Sequence, residues 1–194
     1  GFIERGTLPY GVHNPNAKSY NNNGMSGLAA IAFDLHGNRP GAEFFSRMAA
    51  ASHQIMENGH TGHYFNLLWT GPGASLCGPE VTSGFFRETK WLSIINRKWN
   101  GDFTYSHSES AGVNYSYSNL SDAGAHLITH CLPRSALLIT GRGADPSLML
   151  TGDAAKAALD LATLDVKKLT DADLLKNFGH PMPKIRVESV WELR

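Results

Sequence analysis

The chain has 194 residues, long enough for one domain with a sizeable core. Its 17 Lys and Arg cancel its 17 Asp and Glu, so no global field draws it to nucleic acid or to anionic membranes. Hydrophobic residues at 42% and aromatics at 10% argue against wholesale disorder, and no run of about 18 apolar residues predicts a transmembrane helix.

Residues 1–23 read as loop, because Pro9, Gly11, Pro15 and Asn21-Asn22-Asn23-Gly24 are turn formers. Met25–His36 has helical periodicity through Leu28, Ile31 and Leu35, with small residues keeping it thin. Gly37-Asn38-Arg39-Pro40 stops it. A second helix is predicted from Pro40 or Gly41 to Glu57, with Phe44, Phe45, Met48, Ile55 and Met56 as core candidates and Asn58-Gly59 as its C-cap. His60-Thr61-Gly62-His63-Tyr64-Phe65 then leads into Asn66–Trp69, a break at Gly71-Pro72-Gly73, and Ala74–Cys77.

Gly78-Pro79-Glu80 opens a further helix, with Pro in its first turn. Val81, Phe85, Trp91, Leu92, Ile94 and Ile95 are its core candidates, and it is predicted to stop near Asn100-Gly101. Asp102–Tyr105 is short, aromatic and extended, and 106–119 is a Ser/Asn/Gly/Tyr-rich loop. A helix over Ser118–Cys131 ends before Pro133, and Gly141–Pro146 is a turn. The tail carries predicted helices at Asp153–Leu164, after Thr170-Asp171-Ala172-Asp173, and from Pro183. A soft boundary falls at 143–150.

Leu35-His36-Gly37 precedes Phe44-Phe45 by the spacing at which Leu76-Cys77-Gly78 precedes Phe85-Phe86, an offset of 41 residues from Leu35 to Leu76. A period near 40 of helical pairs predicts stacked hairpins, either a solenoid or a closed α/α toroid. Cys77 and Cys131 permit one disulfide and leave the compartment open; the location expected is extracellular or periplasmic. Gly1 carries no initiator Met, and Val187–Arg194 reads as the middle of an amphipathic helix. The chain is therefore expected to be a piece of a longer parent protein, whose remainder is a partner.

Asn22–Ala30, Gly59–Phe65, Trp99–Tyr105 and Gly78-Pro79-Glu80 together resemble an uncharacterised bacterial family related to the α/α-toroid proteins of the terpenoid-cyclase and prenyltransferase type. The likeness covers roughly residues 5–142. It implies a fold in which inner helices line a central cavity, and it implies no catalytic roles. The sequence departs from the catalytic patterns of those relatives: its Asp-x-Asp, Asp171-Ala172-Asp173, looks like a helix N-cap, and no diagnostic zinc arrangement of Asp, Cys and His occurs. Terpenoid-type chemistry is disfavoured accordingly.

Three constellations carry chemistry. His60 and His63, with Tyr64 and Asn66, lie between a helix C-cap and a helix start, where imidazoles and free amides can bind an anion or hydroxyls or supply a general base. Their structural alternative is capping and interhelical filling. Asp122, His126 and His130 fall at i, i+4 and i+8 on one helical stripe, which suits a divalent metal such as zinc, a base oriented by Asp122, or a polar inner face. No cofactor is expected beyond that metal. The loop around Phe103, Tyr105, His107, Glu109, Tyr115 and Tyr117 sets aromatics among hydroxyls and amides, a mixture suited to sugar rings or to plain loop packing. Asn23, in the N-terminal loop, belongs to a similar mixture. Carboxylates are few in the first 142 residues and no glycosidase pair stands out.

The sequence therefore predicts an all-α fold: helical hairpins in a toroid-like partial ring over 1–142, then a short helical extension over 143–194, the start of a further repeat region. The function expected is binding, with cleavage left open, of a polar ligand such as a carbohydrate. His60, His63 and His126 are the catalytic candidates; Tyr64, Asn66, Asn23, Tyr105, His107 and Tyr115 the ligand contacts; Asp122, His126 and His130 the metal set. The alternatives are a non-catalytic scaffold and, disfavoured, a terpenoid-type binder. Whether the chain is an enzyme stays open. No nucleic acid and no membrane insertion are expected.

Overall fold

The computed structural model describes residues 8, 24–57, 64–103, 121–132 and 145–194. Among them it is all-α, with eight α-helices, three short 3-10 segments and no strand.

Helix α1 is Met25–Leu35 and α2 is Arg39–Ala51. Asn38 starts α2, its side chain accepting the Gly41 N–H at 3.0 Å, and Pro40 lies in the first turn, where a missing N–H costs nothing. The α-helix ends before the predicted Glu57 and tightens into a 3-10 turn at Ser52–Ile55, where the Ser52 hydroxyl donates back to the Ala49 carbonyl at 2.6 Å. Phe45, Met48 and Met56 are buried as expected, whereas Phe44 and Ile55 are half-buried.

Helix α3, Tyr64–Ser75, corrects the sequence reading. The break expected at Gly71-Pro72-Gly73 does not occur: Pro72 sits inside a continuous helix. Its ring removes one backbone hydrogen bond and crowds the preceding turn, which in isolation favours a break. Here the whole 71–75 segment is buried, and packing holds it helical. At Gly73, a Cβ would lie 2.3 Å from the Gly27 Cα of α1. The two helices thus cross glycine on glycine.

Helix α4 is Pro79–Ile95 and follows Gly78, whose φ of +96° suits glycine and sets the turn out of α3. It stops at Asn96, before the predicted Asn100-Gly101, because Arg97 pairs with Phe103 in an isolated antiparallel bridge that closes a turn over 98–102. Val81, Phe85 and Leu92 are buried, but Trp91, Ile94 and Ile95 are 42%, 62% and 64% exposed, so three of the expected core residues lie on the surface. Helix α5 is Ala123–Cys131.

The two hairpins α1–α2 and α3–α4 repeat in shape. Helices α2 and α4 start 40 residues apart, Arg39 to Pro79, and the buried Phe of each pair keeps that offset, Phe45 to Phe85. In both units the paired rings meet edge to face, at 5.2 and 5.8 Å. The left-handed glycines Gly37 and Gly78 keep the offset of 41 seen in the sequence, so which ring of each Phe pair is buried shifts by one.

In the tail, α6 is Gly152–Asp160, α7 is Asp171–Lys176 and α8 is Pro183–Glu192. Thr170 caps α7 as its sequence suggested, accepting the Asp173 N–H at 3.3 Å. The tail shares its core with the hairpins. Ala155 and Leu159 pack with Phe85 and Leu92, while Ala162, Val166, Leu174, Met182 and Ile185 pack with Met48 and Ala51. Asp145 anchors the approach to the tail: it pairs with Arg39 and takes the Ser147 N–H at 2.9 Å and hydroxyl at 2.6 Å, and the Ser147 bonds hold its carboxyl below the usual range.

Candidate functional site

Helices α4 and α5 both rest on α3, and a cleft of about 470 Å³ opens between them. The spacing of α4 delivers Ser83, Phe86, Arg87, Lys90 and Ser93 to one wall, residues three and four apart on a single face. Helix α5 supplies His126, Thr129 and His130 at the same spacing. At one end the walls are tied together: Ser93 Oγ is hydrogen-bonded to His126 Nδ1 at 3.1 Å. The His126 ring is 4% exposed and stacks on Phe103 at 4.0 Å between centroids, 20° from parallel. The Thr129 hydroxyl donates to the Leu67 carbonyl at 3.0 Å, fixing α5 onto α3.

Phe86 and Leu132 both approach Gly71 of α3, where a Cβ would lie 3.4 Å from Leu132 and 3.7 Å from Phe86. Phe86 gives the cleft an apolar base. Two cations, Arg87 and Lys90, are exposed at its rim on α4, and His130 is exposed on α5. Among the described lining residues there is no carboxylate. Arg87 touches Glu88 at 3.4 Å, an exposed neighbour contact of little energetic weight. Such a space can take a small polar ligand, with hydroxyls and cations at its edge and a ring face at its base.

The sequence candidates distribute unevenly. His126 is in the cleft and His130 on its rim. Asp122 is fully buried at the N-cap of α5, and its backbone carbonyl accepts the His126 N–H at 3.0 Å. The three share a helical stripe as predicted, but differ in exposure, and no group of three His, Cys, Asp or Glu able to hold a metal ion occurs among the described residues. Asn66 is fully buried: its Oδ1 accepts the Gly24 N–H at 2.6 Å and its Nδ2 donates to the Met56 carbonyl at 2.9 Å. That amide joins the start of α1 to the end of the 3-10 turn. Tyr64 is half-buried, edge-on to Phe65 at 5.3 Å and packed against the main core. His60, His63, Asn23, Tyr105, His107 and Tyr115 lie outside the described residues, as do Glu109 and Tyr117.

Sequence reasoning missed Ser83, Arg87, Lys90 and Ser93. Their i, i+4, i+7, i+10 spacing marks a polar stripe on α4, yet the same pattern describes any solvated helix face. The opposing wall is what makes it a site.

Cys77 and Cys131 are both free thiols, so the disulfide that the sequence permitted is not formed. Cys77 is buried with its Sγ 3.2 Å from Ser46 Oγ, and burial pushes the thiol up to about 11. Cys131 is exposed. A thiol-reactive probe at neutral pH is therefore expected to label Cys131 alone in the folded chain and both residues after denaturation. Rapid labelling of Cys77 in the folded chain would contradict this burial.

The family described as "Domain of unknown function (DUF6288)" matches residues 1–141, and the chain belongs to it. No curated protein and no solved structure matches the chain. No helix among the described residues is long and apolar enough to cross a membrane.

Proposed function

We propose that this chain binds a polar ligand, a carbohydrate in the first instance, in the cleft between α4 and α5. The observation that carries the reading is the composition of that one space: hydroxyls of Ser83 and Ser93, the imidazoles of His126 and His130, and two cations, set over an apolar base. A sugar ring combines an apolar face with a polar perimeter, which matches this division. We also propose that the two hairpins form part of an α/α-toroid-like arc, supported by their 40-residue repeat from Arg39 to Pro79 and by the central place of α3.

The test is titration of the full chain with a panel of oligosaccharides while the imidazole resonances of His126 and His130 are followed by NMR. Saturable shifts of both rings are expected. No response from either ring to any member of the panel would overturn the reading. Analysis of the same incubations for new reducing ends decides whether binding leads to cleavage.

A scaffold role is the second reading, and one observation favours it: Trp91, Ile94 and Ile95 in the last turns of α4 and Trp99 in the turn beyond it are exposed large apolar residues, Trp99 at 99%. Retention of all ligand binding elsewhere, together with loss of a protein partner on Trp99→Ala, would select it.

A further inference from the structure

We infer that the ligand of the α4–α5 cleft carries an anionic group, a carboxylate or a sulfate ester, seated by Arg87 and Lys90 with His130 facing them. This rests on the cleft being the binding site, and adds the chemical class of what binds. The argument starts from helix energetics. Arg87 and Lys90 stand at i and i+3 on α4, neighbouring positions on a helix surface where two like charges repel and cost stability. Several other cations on or beside helices have a carboxylate beside them: Arg47 has Glu43 at 2.7 Å, Lys168 has Asp165 at 3.1 Å and Lys184 has Glu188 at 4.0 Å. At the cleft two cations share one wall of the same space. Arg87 meets only its sequence neighbour Glu88, at 3.4 Å, no described ion pair involves Lys90, and no described lining residue is acidic.

An anion placed between the two side chains removes the repulsion and completes the site. The Arg87 guanidinium offers paired N–H donors matched to two oxygens of a carboxylate or sulfate, and Lys90 adds a mobile point charge. His130 contributes a ring nitrogen from the opposite wall. The net charge of the chain is zero, so this preference is local to the cleft and does not extend to a general affinity for polyanions.

The experiment measures binding to the full chain of three oligosaccharides of equal length: neutral, uronic-acid-bearing and sulfated. Each is measured at low and high salt, alongside a single-stranded oligonucleotide. At least one of the two acidic sugars is expected to bind about tenfold or more tightly than the neutral one, with an advantage that shrinks in salt. Comparing the carboxylated and sulfated arms identifies the anion. Arg87→Gln and Lys90→Gln are each expected to weaken acidic binding about tenfold, and by more than they weaken neutral binding. Both positions are exposed, and Lys90→Arg keeps the charge and should keep the binding.

Equal binding of neutral and acidic sugars, insensitive to Arg87→Gln and Lys90→Gln, overturns the inference and leaves the carbohydrate reading standing. Absence of binding by all three sugars overturns the carbohydrate reading itself. Oligonucleotide binding as tight as that of the acidic sugars overturns the inference in favour of a general polyanion surface.

Discussion

Replacing Gly73 by alanine should destabilise the chain by about 3 kcal/mol or more, a fall in Tm of about 6–12 °C for a domain of this size. An added Cβ would stand 2.3 Å from the Gly27 Cα and 2.7 Å from the Gly27 carbonyl oxygen. Both atoms are backbone, so no rotamer change relieves the clash; α1 and α3 must separate. Gly27→Ala should act the same way from the other side, because its Cβ would meet the Trp69 carbonyl oxygen at 2.1 Å. Local propensity pulls in the opposite direction, since alanine is favoured over glycine inside a helix by about 1 kcal/mol. The sign of the measured change therefore separates the two effects. Gly84→Ala is the control: its Cβ would meet a Leu159 methyl at 2.3 Å, the end of a side chain that can turn away. A thermal melt in which Gly73→Ala is as stable as the parent, or more so, would sink the close-crossing argument. Because α3 also carries both walls of the cleft, Gly73→Ala should weaken ligand binding together with stability.

The second large effect is expected at Asn66. Removal of its amide by Asn66→Ala leaves the Gly24 N–H and the Met56 carbonyl without the partner each has now, in a site with no exposure. An unsatisfied buried polar group costs about 1–3 kcal/mol, so a loss of roughly 3 kcal/mol is expected for the pair. Asn66→Asp keeps an acceptor for Gly24 but loses the donor to Met56 and brings a carboxylate into a buried position, so it should be no milder. Chemical denaturation of both variants checks this. The same experiment decides between two roles for the residue. If Asn66 served the ligand, Asn66→Ala would abolish binding at unchanged stability; the geometry requires stability to fall first.

Much of the helical framework was legible because its signals are local. Gly78-Pro79 fixes the start of α4 through a left-handed glycine and a proline at the position where its missing N–H is harmless. Thr170 with Asp173 marks the start of α7 by a side-chain cap. The paired phenylalanines announced two hairpins, and each pair buries one ring and leaves the other at the edge. Where the signal was local but the outcome was not, the reading failed. Gly71-Pro72-Gly73 is a break by every short-range rule, yet α3 continues through it. Trp91, Ile94 and Ile95 have the composition of a core stripe and lie exposed, since nothing in a single helix specifies which of its faces meets a neighbour.

The candidate site divides in the same way. His126 and His130 were found from their spacing on one helix, and Asp122 from the same stripe. Their separate fates, one buried at an N-cap, one stacked on Phe103 and bonded to Ser93, one at the rim, depend on α4 and on the Phe103 bridge. Arg87 and Lys90 passed as ordinary solvated charges because their meaning lies across a gap. By itself, the sequence determined the all-α class, the hairpin repeat and the turns that punctuate it, since these follow from backbone preferences within a few residues. Only the tertiary structure decided that α3 stays whole, that Asn66 serves the fold, and that a cationic wall faces two histidines. Each of those depends on which helices touch, and that is set by long-range packing.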